Sequence, residues 1–143
     1  MKLQVKFFEE LTGRELYEIV RSRTEIFLLE QHIICQDFDG LDYEALHCFL
    51  EEDGKVLAYL RAFPVGEGAA KVGRVLSVTH GMGHGTKLMT DSLPHIREKL
   101  CAERIVVHAQ KTAQSFYEKL GFSVTSPDYL EEGIPHVTME LTL

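Results

Sequence analysis

The sequence predicts a single α+β domain spanning residues 1–143, with a mixed, mostly antiparallel sheet of about six to seven strands flanked by helices. The chain has 143 residues, the size of one domain. It contains no internal repeat, low-complexity tract or linker-like stretch. Strand-like and helix-like patterns follow the order β-α-β-β-β-α-β-α-β-β, which is typical of this class.

The first elements are a strand and a helix. Leu3–Phe8 alternates polar and apolar residues, as a strand does. From Thr12 to Phe27 apolar side chains recur at helical spacing, with Thr12 or Gly13 near the N-cap. The range 31–42 predicts a long acidic loop, since it contains Asp37, Asp39, Gly40 and Asp42.

A set of antiparallel strands follows. Leu46–Glu51 and Val56–Phe63 flank the dipeptide Asp53-Gly54, which is a strong hairpin signal. A further turn at Gly66–Ala69 leads into a strand at Lys71–Thr79. The three segments predict a meander in the middle of the chain.

The second half begins with a glycine-rich turn and a helix from about Gly85 to Leu100. Pro94 lies inside that helix and predicts a kink or an interruption. Gly121 is a typical stop for the helix before it. The remaining patterns predict a short buried strand at Arg104–Ala109, a helix at Thr112–Leu120 and two last strands at Phe122–Thr125 and His136–Leu143.

Composition narrows the class of partner. A net charge of −7 argues against nucleic acid and suits a small molecule or a cationic substrate. No apolar run approaches the roughly 20 residues that span a bilayer, and the N-terminus lacks a signal-peptide pattern, so we expect a cytoplasmic protein without a membrane partner. Cysteines 35, 48 and 101 form no CxxC pair, so we expect reduced thiols and no metal.

The segment from Arg74 to Met89 places alternating glycines between a strand and a helix: Gly81, Gly83 and Gly85. Glycine allows positive φ and close approach of the backbone, and a helix N-terminus offers free N–H donors to a phosphate. The segment does not match a Walker A loop, which requires glycine at the fifth position after Gly81, where this chain has Thr86. It does not match the dinucleotide-binding spacing G-x-G-x-x-G either. Two interpretations of residues 80–85 remain: a turn that binds phosphate and a turn that binds nothing.

A second informative segment is the helix that carries Tyr117. At helical spacing Ala113, Phe116 and Leu120 share the buried face, and Tyr117 lies on the neighbouring stripe. The residue is therefore either an amphipathic side chain at the edge of the core or a functional hydroxyl.

Together the two segments resemble the Gcn5-related N-acetyltransferase (GNAT) family. The family loop [RQ]-G-x-G-x-[GA] matches His80–Gly85, and its helix N-x-x-A-x-x-x-Y-x-x-x-G-F matches Gln110–Phe122. The element order fits the three-layer GNAT fold over nearly the whole chain. A bacterial ElaA-like subgroup is similar in three further stretches, at 27–31, 36–42 and 132–139.

The resemblance implies transfer of an acetyl group from acetyl-CoA to an amine of a small molecule or peptide. It implies Tyr117 as the general acid that protonates the departing thiolate. The pantetheine arm would pair with the strand before the loop, between Val75–Val78 and Ile105–Ala109. The implied cofactor-binding residues are Leu76, Ser77, Val78, His80, Gly81, Met82, Gly83, His84, Gly85, Thr86 and Gln110.

The chain departs from the family pattern at three points, of which the first two matter more. His80 replaces the usual Arg or Gln, and the segment between Arg74 and His80 is about two residues short, which places Leu76–Val78 along the cofactor. Gln110 replaces the common Asn and keeps the amide. The candidate general bases are four polar residues, Glu30, His47, Asp128 and His136.

Several alternatives stay open at this point. The aspartates of the acidic loop either recruit a cationic acceptor or form a solvated loop. The fold could serve a non-catalytic acyl-CoA-binding or regulatory domain, and the glycine turn alone would suit a nucleotide-binding interaction module. The acceptor, the acyl length and a homodimeric assembly are left open by the sequence.

Overall fold

The sheet has eight strands, in a computed structural model that describes residues 1–143. The strand order is β1-β2-β3-β4-β5-β8-β6, with β7 paired to β8. Only β4 and β5 run parallel, so the sheet is mixed and mostly antiparallel, as predicted. The strands are β1 Lys2–Phe7, β2 Leu46–Glu52, β3 Lys55–Pro64, β4 Ala69–Ser77, β5 Arg104–Gln110, β6 Ser123–Val124, β7 Tyr129–Glu131 and β8 Ile134–Thr142.

Three α-helices flank the sheet: α1 Gly13–Arg23, α2 His84–Leu100 and α3 Gln114–Lys119. The predicted cap of α1 is confirmed, because the Glu15 amide donates to Thr12 Oγ1 at 3.0 Å and the Thr12 amide donates to Glu15 Oε1 at 2.9 Å. None of the helices is long and apolar enough to cross a bilayer.

The structure differs from the sequence prediction at three elements. The chain after α1 continues as a π-helical segment at Thr24–Glu30. Helix α2 runs through Pro94 without interruption; Pro94 and Thr90 are both exposed, so water can bond the Thr90 carbonyl that lacks its helical partner. Strand β7 was missed, because it has only three residues.

The core has two parts, one on each face of the sheet. Helices α2 and α3 cover the larger part, in which Leu88, Met89 and Ile96 are fully buried. Helix α1 and the π-helical segment cover the smaller part, which contains Ile19 and Ile26. Two helical layers with the sheet between them make the three-layer α+β architecture that the sequence predicts.

Candidate active site

The site begins where two parallel strands separate. Residues 69–72 of β4 pair with residues 104–107 of β5, and the pairing ends there. Beyond that point β4 stays bonded to β3, and β5 stays bonded to β8. The facing edges of 73–77 and 108–110 therefore present backbone groups to the gap, where a chain that contains amides can satisfy them. We call this opening the β4–β5 gap.

A β-bulge lies at the start of the gap. Gly73 pairs with Arg61 and Leu76 pairs with Tyr59, so Arg74 and Val75 oppose a single residue of β3. Arg74 has a φ of +52°, a conformation that costs a non-glycine residue about 1–2 kcal/mol. Bulges turn the local backbone out of the ladder. This one lies just beyond Val72, the last residue of β4 that pairs with β5.

A cavity of about 300 Å³ occupies the gap. Four parts of the chain form its walls: the segment after α1, the bulge of β4, the end of β5 with the turn into α3, and the β7–β8 hairpin. The side chains that matter for chemistry here are Cys35, Lys71, His108, Gln110, Tyr117, Glu131, Glu132 and His136.

Tyr117 reaches this cavity from α3. Its ring is 6% exposed and packs edge-on against Phe116 and Phe122, with ring centroids 5.1 and 5.4 Å apart. Tyr117 therefore belongs to the apolar core, whereas Ala113, Phe116 and Leu120, which the sequence predicts on the buried face, are only partly buried and pack against that core. Burial raises the pKa of the Tyr117 phenol well above its ordinary value. The hydroxyl is consequently kept protonated and suited to donate a proton.

The glycine turn lies at the other end of the gap. Gly81 and Gly83 have φ values of +76° and +74°, and a Cβ at either position would meet open space. Helix α2 begins at His84, and its first helical hydrogen bond joins the Lys87 amide to the Gly83 carbonyl at 3.1 Å. The amides of residues 84–86 therefore have no helical acceptor and are available to an anion.

Gly85 has a different reason to be glycine. A Cβ there would lie 3.3 Å from Ser77 Oγ and 3.5 Å from the Phe116 ring. A side chain at residue 85 would therefore be in tight contact with β4 and would touch α3.

Comparison with known proteins assigns the family. The model of the acetyltransferase (GNAT) domain matches residues 35–143. The chain belongs to the GNAT family. Within GNAT it falls in the ElaA-like branch and is an acyltransferase by fold and family.

Three relatives show how far this GNAT resemblance extends. A UPF0039 protein of Schizosaccharomyces pombe is 35% identical over 142 residues, which are 96% of this chain and 95% of the relative. The crystal structure of an acyl-CoA N-acyltransferase from Pseudomonas aeruginosa has a TM-score of 0.90 and 34% identity, covering 98% of this chain and 99% of that one. The crystal structure of Escherichia coli ElaA also has a TM-score of 0.90, with 27% identity and the same coverage.

The acidic loop of this GNAT domain is held by three arginines. Arg23 donates to Asp42 at 2.8 Å, Arg61 donates to Asp39 at 2.9 Å, and Arg74 donates to Asp37 at 2.9 Å. We call these six residues the arginine–aspartate cluster. The loop aspartates are therefore neutralised internally, which neither sequence interpretation anticipated.

The electrostatics of this cluster are strong, because two of its arginines are nearly inaccessible to water. The Arg61 guanidinium holds the pKa of Asp39 far below its usual range. Burial alone raises the pKa of Asp42, but the guanidinium groups of Arg23 and Arg61 more than offset that and lower it. The cluster fixes the loop against the bulge of β4, since Arg74 belongs to both.

His47, one of the candidate bases, lies inside the protein. Its Nδ1 accepts from the Tyr59 hydroxyl at 2.6 Å, and its Nε2 donates to the Asp42 carbonyl at 2.9 Å. Burial lowers the pKa of the ring. Because both nitrogens are bonded and the side chain is fully buried, His47 cannot receive a proton from an acceptor.

Two consecutive residues connect both sides of the β4–β5 gap. Glu30 lies 2.8 Å from Nε2 of His80, in the glycine turn. Gln31 accepts from Nε2 of Gln110, at the end of β5, at 3.0 Å. We call Glu30 and Gln31 the bridging pair. The predicted residues His80 and Gln110 are thus both bonded to the same short segment.

The strand residues predicted to follow the cofactor lie between the cavity and the turn. Leu76 is buried in the smaller core, and the Val78 amide donates to the Leu57 carbonyl at 2.9 Å. Ser77 pairs with Ala58 of β3. Their contact with the cofactor remains a prediction, as does that of Met82 and Thr86 at the turn.

Of the remaining candidate bases, His136 alone lines the cavity. Asp128 is exposed and pairs with Lys111 at 3.2 Å. His108 and Glu131 also line the cavity and were missed, although alternation along β5 places His108 and Gln110 on one face. No group of three His, Cys, Asp or Glu side chains is arranged to hold a metal ion.

Proposed function

We propose that this GNAT protein transfers an acetyl group from acetyl-CoA to an amine of a small molecule or peptide, by direct attack of the amine on the thioester. The observation that carries the proposal is the order of three features from β4 into α2, which we together call the cofactor groove. They are the cavity lined by Tyr117 and by residues 71–75 of β4, the open edges of the β4–β5 gap at 73–77 and 108–110, and the free amides of residues 84–86.

The groove offers each part of acetyl-CoA a matching partner. The free amides of residues 84–86 and the positive end of the α2 dipole suit the pyrophosphate. The open edges at 73–77 and 108–110 suit the two amides of pantetheine. The cavity at the far end then receives the thioester and the acceptor amine.

Tyr117 supports a catalytic role for the cavity. The thiolate that leaves coenzyme A needs a proton, and the phenol of Tyr117 carries one. Desolvation also raises the proton affinity of a buried thiol, as it does for Cys48, whose pKa burial raises to about 12. A thiolate in the same kind of surroundings therefore competes for the phenolic proton better than it would in water.

Binding of acetyl-CoA tests the proposal first. In Gly83→Val a branched side chain would fill the open space above the amides of α2. We expect the affinity for acetyl-CoA, measured by calorimetry, to fall about 10–100-fold, as for the loss of one or two charge-assisted hydrogen bonds.

Gly66→Val is the matched control. Gly66 also has positive φ, at +84°, and open space around its Cβ, but it lies in the β3–β4 turn. Both variants carry the same backbone strain, so only a specific loss of affinity in Gly83→Val supports the assignment. If the two variants bind acetyl-CoA with equal affinity, the assignment of the glycine turn as the phosphate site is wrong.

A non-catalytic acyl-CoA-binding domain is the second candidate. One observation favours it: His80 stands where the family has Arg or Gln, and it is bonded to Glu30. An assay of coenzyme A release distinguishes the two candidates, when the protein is mixed with acetyl-CoA and a panel of amines. Tight binding without release in any mixture would favour the second candidate.

A further inference from the structure

The β7–β8 hairpin forms one end of the cavity, beside the last residues of β5. It brings together Glu131 of β7, His136 of β8 and His108 of the neighbouring β5. Nδ1 of His108 donates to Glu131 Oε1 at 3.1 Å, and Nε2 of His136 lies 3.5 Å from Glu131 Oε2. Tyr129 stacks on His136 and meets His108 edge-on, with centroids 6.1 and 6.0 Å apart. One carboxylate therefore lies between two fixed imidazoles.

The orientation of His136 leaves one nitrogen for a ligand. Its Nδ1 lies 2.7 Å from the Ile134 carbonyl, which can only accept, so Nδ1 carries the hydrogen. In the neutral ring Nε2 is then an acceptor. Nε2 faces Glu131 Oε2 at 3.5 Å without forming a hydrogen bond to it, and the side chain lines the cavity. Nε2 is placed to take a proton from a molecule bound there.

The charges around the cavity select the kind of molecule. Three arginines and three aspartates cancel within the arginine–aspartate cluster. The other charged lining residues are Lys71, Glu131 and Glu132. Glu131 has only histidine partners, and Glu132 has no ion-pair partner. Two carboxylates against one ammonium leave the hairpin end negative.

We propose that this end of the cavity is the acceptor subsite for an alkyl amine that carries a second positive charge, and that Nε2 of His136 takes the proton of the amine that is acylated. The inference rests on the proposed function, whose acceptor it specifies. Glu131 is a positioning residue: it stabilises the imidazolium of His136 and, with Glu132, attracts the cationic acceptor.

The proton and electron balance is complete. An ammonium proton passes to Nε2 of His136, and the amine lone pair forms the C–N bond to the thioester carbon. The C–S bond breaks, its electron pair leaves on sulfur, and Tyr117 protonates the thiolate. The excess proton on the new amide nitrogen restores Tyr117, and the imidazolium of His136 releases its proton to water.

Three probes of one length separate the classes of acceptor: n-butylamine, 1,4-diaminobutane and 4-aminobutanoate. Their second ends are neutral, cationic and anionic. We expect kcat/KM, followed by the loss of thioester absorbance of acetyl-CoA, to be highest for 1,4-diaminobutane, with steps of about 2–5-fold between the probes. A preference for 4-aminobutanoate that Lys71→Gln abolishes would overturn the inference, since Lys71 would then be recognising a carboxylate.

Variants separate attraction from proton transfer. Glu131→Gln and Glu132→Gln should each raise KM for 1,4-diaminobutane about 2–5-fold and leave KM for acetyl-CoA unchanged. The control is Glu118→Gln, on the exposed face of α3, which should change neither. His136→Asn retains a donor to the Ile134 carbonyl and lacks Nε2, so kcat should fall about 10²-fold or more at similar KM. Unchanged kcat in His136→Asn would contradict its role as the base.

A binding measurement keeps this inference separate from the proposed function. Without acetyl-CoA, 1,4-diaminobutane should shift the NMR signals of the His108 and His136 rings, and Glu131→Gln should weaken that effect. If acetyl-CoA fails to bind while these shifts occur, the proposed function is wrong and the cationic subsite stands. If acetyl-CoA binds and 1,4-diaminobutane neither reacts nor shifts the two rings, the subsite is wrong.

Discussion

At the scale of single residues, Tyr117 shows how burial prepares a side chain for one direction of proton transfer. Its hydroxyl makes no hydrogen bond within the protein, and its ring is fixed between two phenylalanines. A phenol with a raised pKa is a poor base at neutral pH and retains the proton that a departing thiolate needs. Its contribution as an acid can be measured without disturbing the packing.

We expect Tyr117→Phe to keep the fold and the affinity for acetyl-CoA, because it removes one oxygen and retains the buried ring. With an acceptor that reacts, kcat should fall about 10–10³-fold, the range for the loss of a general acid that water replaces imperfectly. Steady-state kinetics and calorimetry on the same preparation give both numbers. Retained turnover would make Tyr117 a packing residue.

Glu30 places a carboxylate beside the turn that we assign to the pyrophosphate. Glu30→Gln removes that negative charge and frees His80, so the dissociation constant of acetyl-CoA should fall about 2–5-fold in low salt. Glu98→Gln, an exposed carboxylate near the other end of α2, is the control and should have no effect. In His80→Arg alone, the Glu30 carboxylate would pair with the new guanidinium. The full gain in affinity for acetyl-CoA should therefore appear only when His80→Arg is combined with Glu30→Gln.

Local spacing explains which site residues the sequence could predict. The positions of Gly81, Gly83 and Tyr117 are set by motifs of a few residues, so the turn and the helix were recognisable without a structure. Glu131 and His108 come together only through the register of β5, β8 and β7. No short motif encodes that register, and for this reason Glu131 was absent from the candidate bases.

At the scale of elements, the acidic loop and the bulge of β4 are held as one unit by the arginine–aspartate cluster. Asp42 contacts both Arg23, whose side chain is 1% exposed, and Arg61, whose side chain is 4% exposed. Asp42→Asn leaves two buried guanidinium groups short of a counter-charge. We expect the free energy of unfolding, measured by urea denaturation, to fall by about 3–5 kcal/mol.

An exposed pair gives the matched control for that change. Asp128→Asn also removes a carboxylate bonded to one cation, Lys111, but both side chains are accessible to water. The free energy of unfolding should change by less than about 1 kcal/mol. Equal effects of the two substitutions would mean that the cluster contributes no more than a surface ion pair does.

The elements that escaped sequence prediction share a dependence on distant parts of the chain. Strand β7 is a three-residue strand that exists because β8 pairs with it through the turn at Glu132-Gly133. The sequence left the acidic loop either solvated or recruiting a cationic acceptor, because its arginine partners lie 14–37 residues away in sequence. The longer strands and helices α1 and α2 were predictable, since their apolar periodicity is local.

At the scale of the whole molecule, stability should depend on pH in two stages. Burial lowers the pKa of His47 below its ordinary value of 6.5, so the folded state binds fewer protons there than the unfolded state. This contribution is complete above about pH 6.5 and is lost as pH falls below it. Asp39 and Asp42, whose pKa values are lowered from 3.8, add a second loss below about pH 4.

Urea denaturation across pH 3–8 measures both stages. The unfolding free energy should fall as pH falls below about 6.5, with a slope that cannot exceed about 1.4 kcal/mol per pH unit, the limit for one proton. His47→Gln should flatten that slope and leave the acidic stage in place. An unchanged slope in His47→Gln would show that another group titrates in the upper range.

The bridging pair has a consequence for the timing of the reaction. Glu30 and Gln31 connect the two sides of the β4–β5 gap only through exposed side-chain hydrogen bonds, and exposed side chains rearrange within nanoseconds. Opening this connection therefore needs only side-chain rearrangement, so we expect that it does not limit turnover. Rapid-quench experiments should show no burst of acylated amine, and the first catalytic cycle should proceed at the steady-state rate.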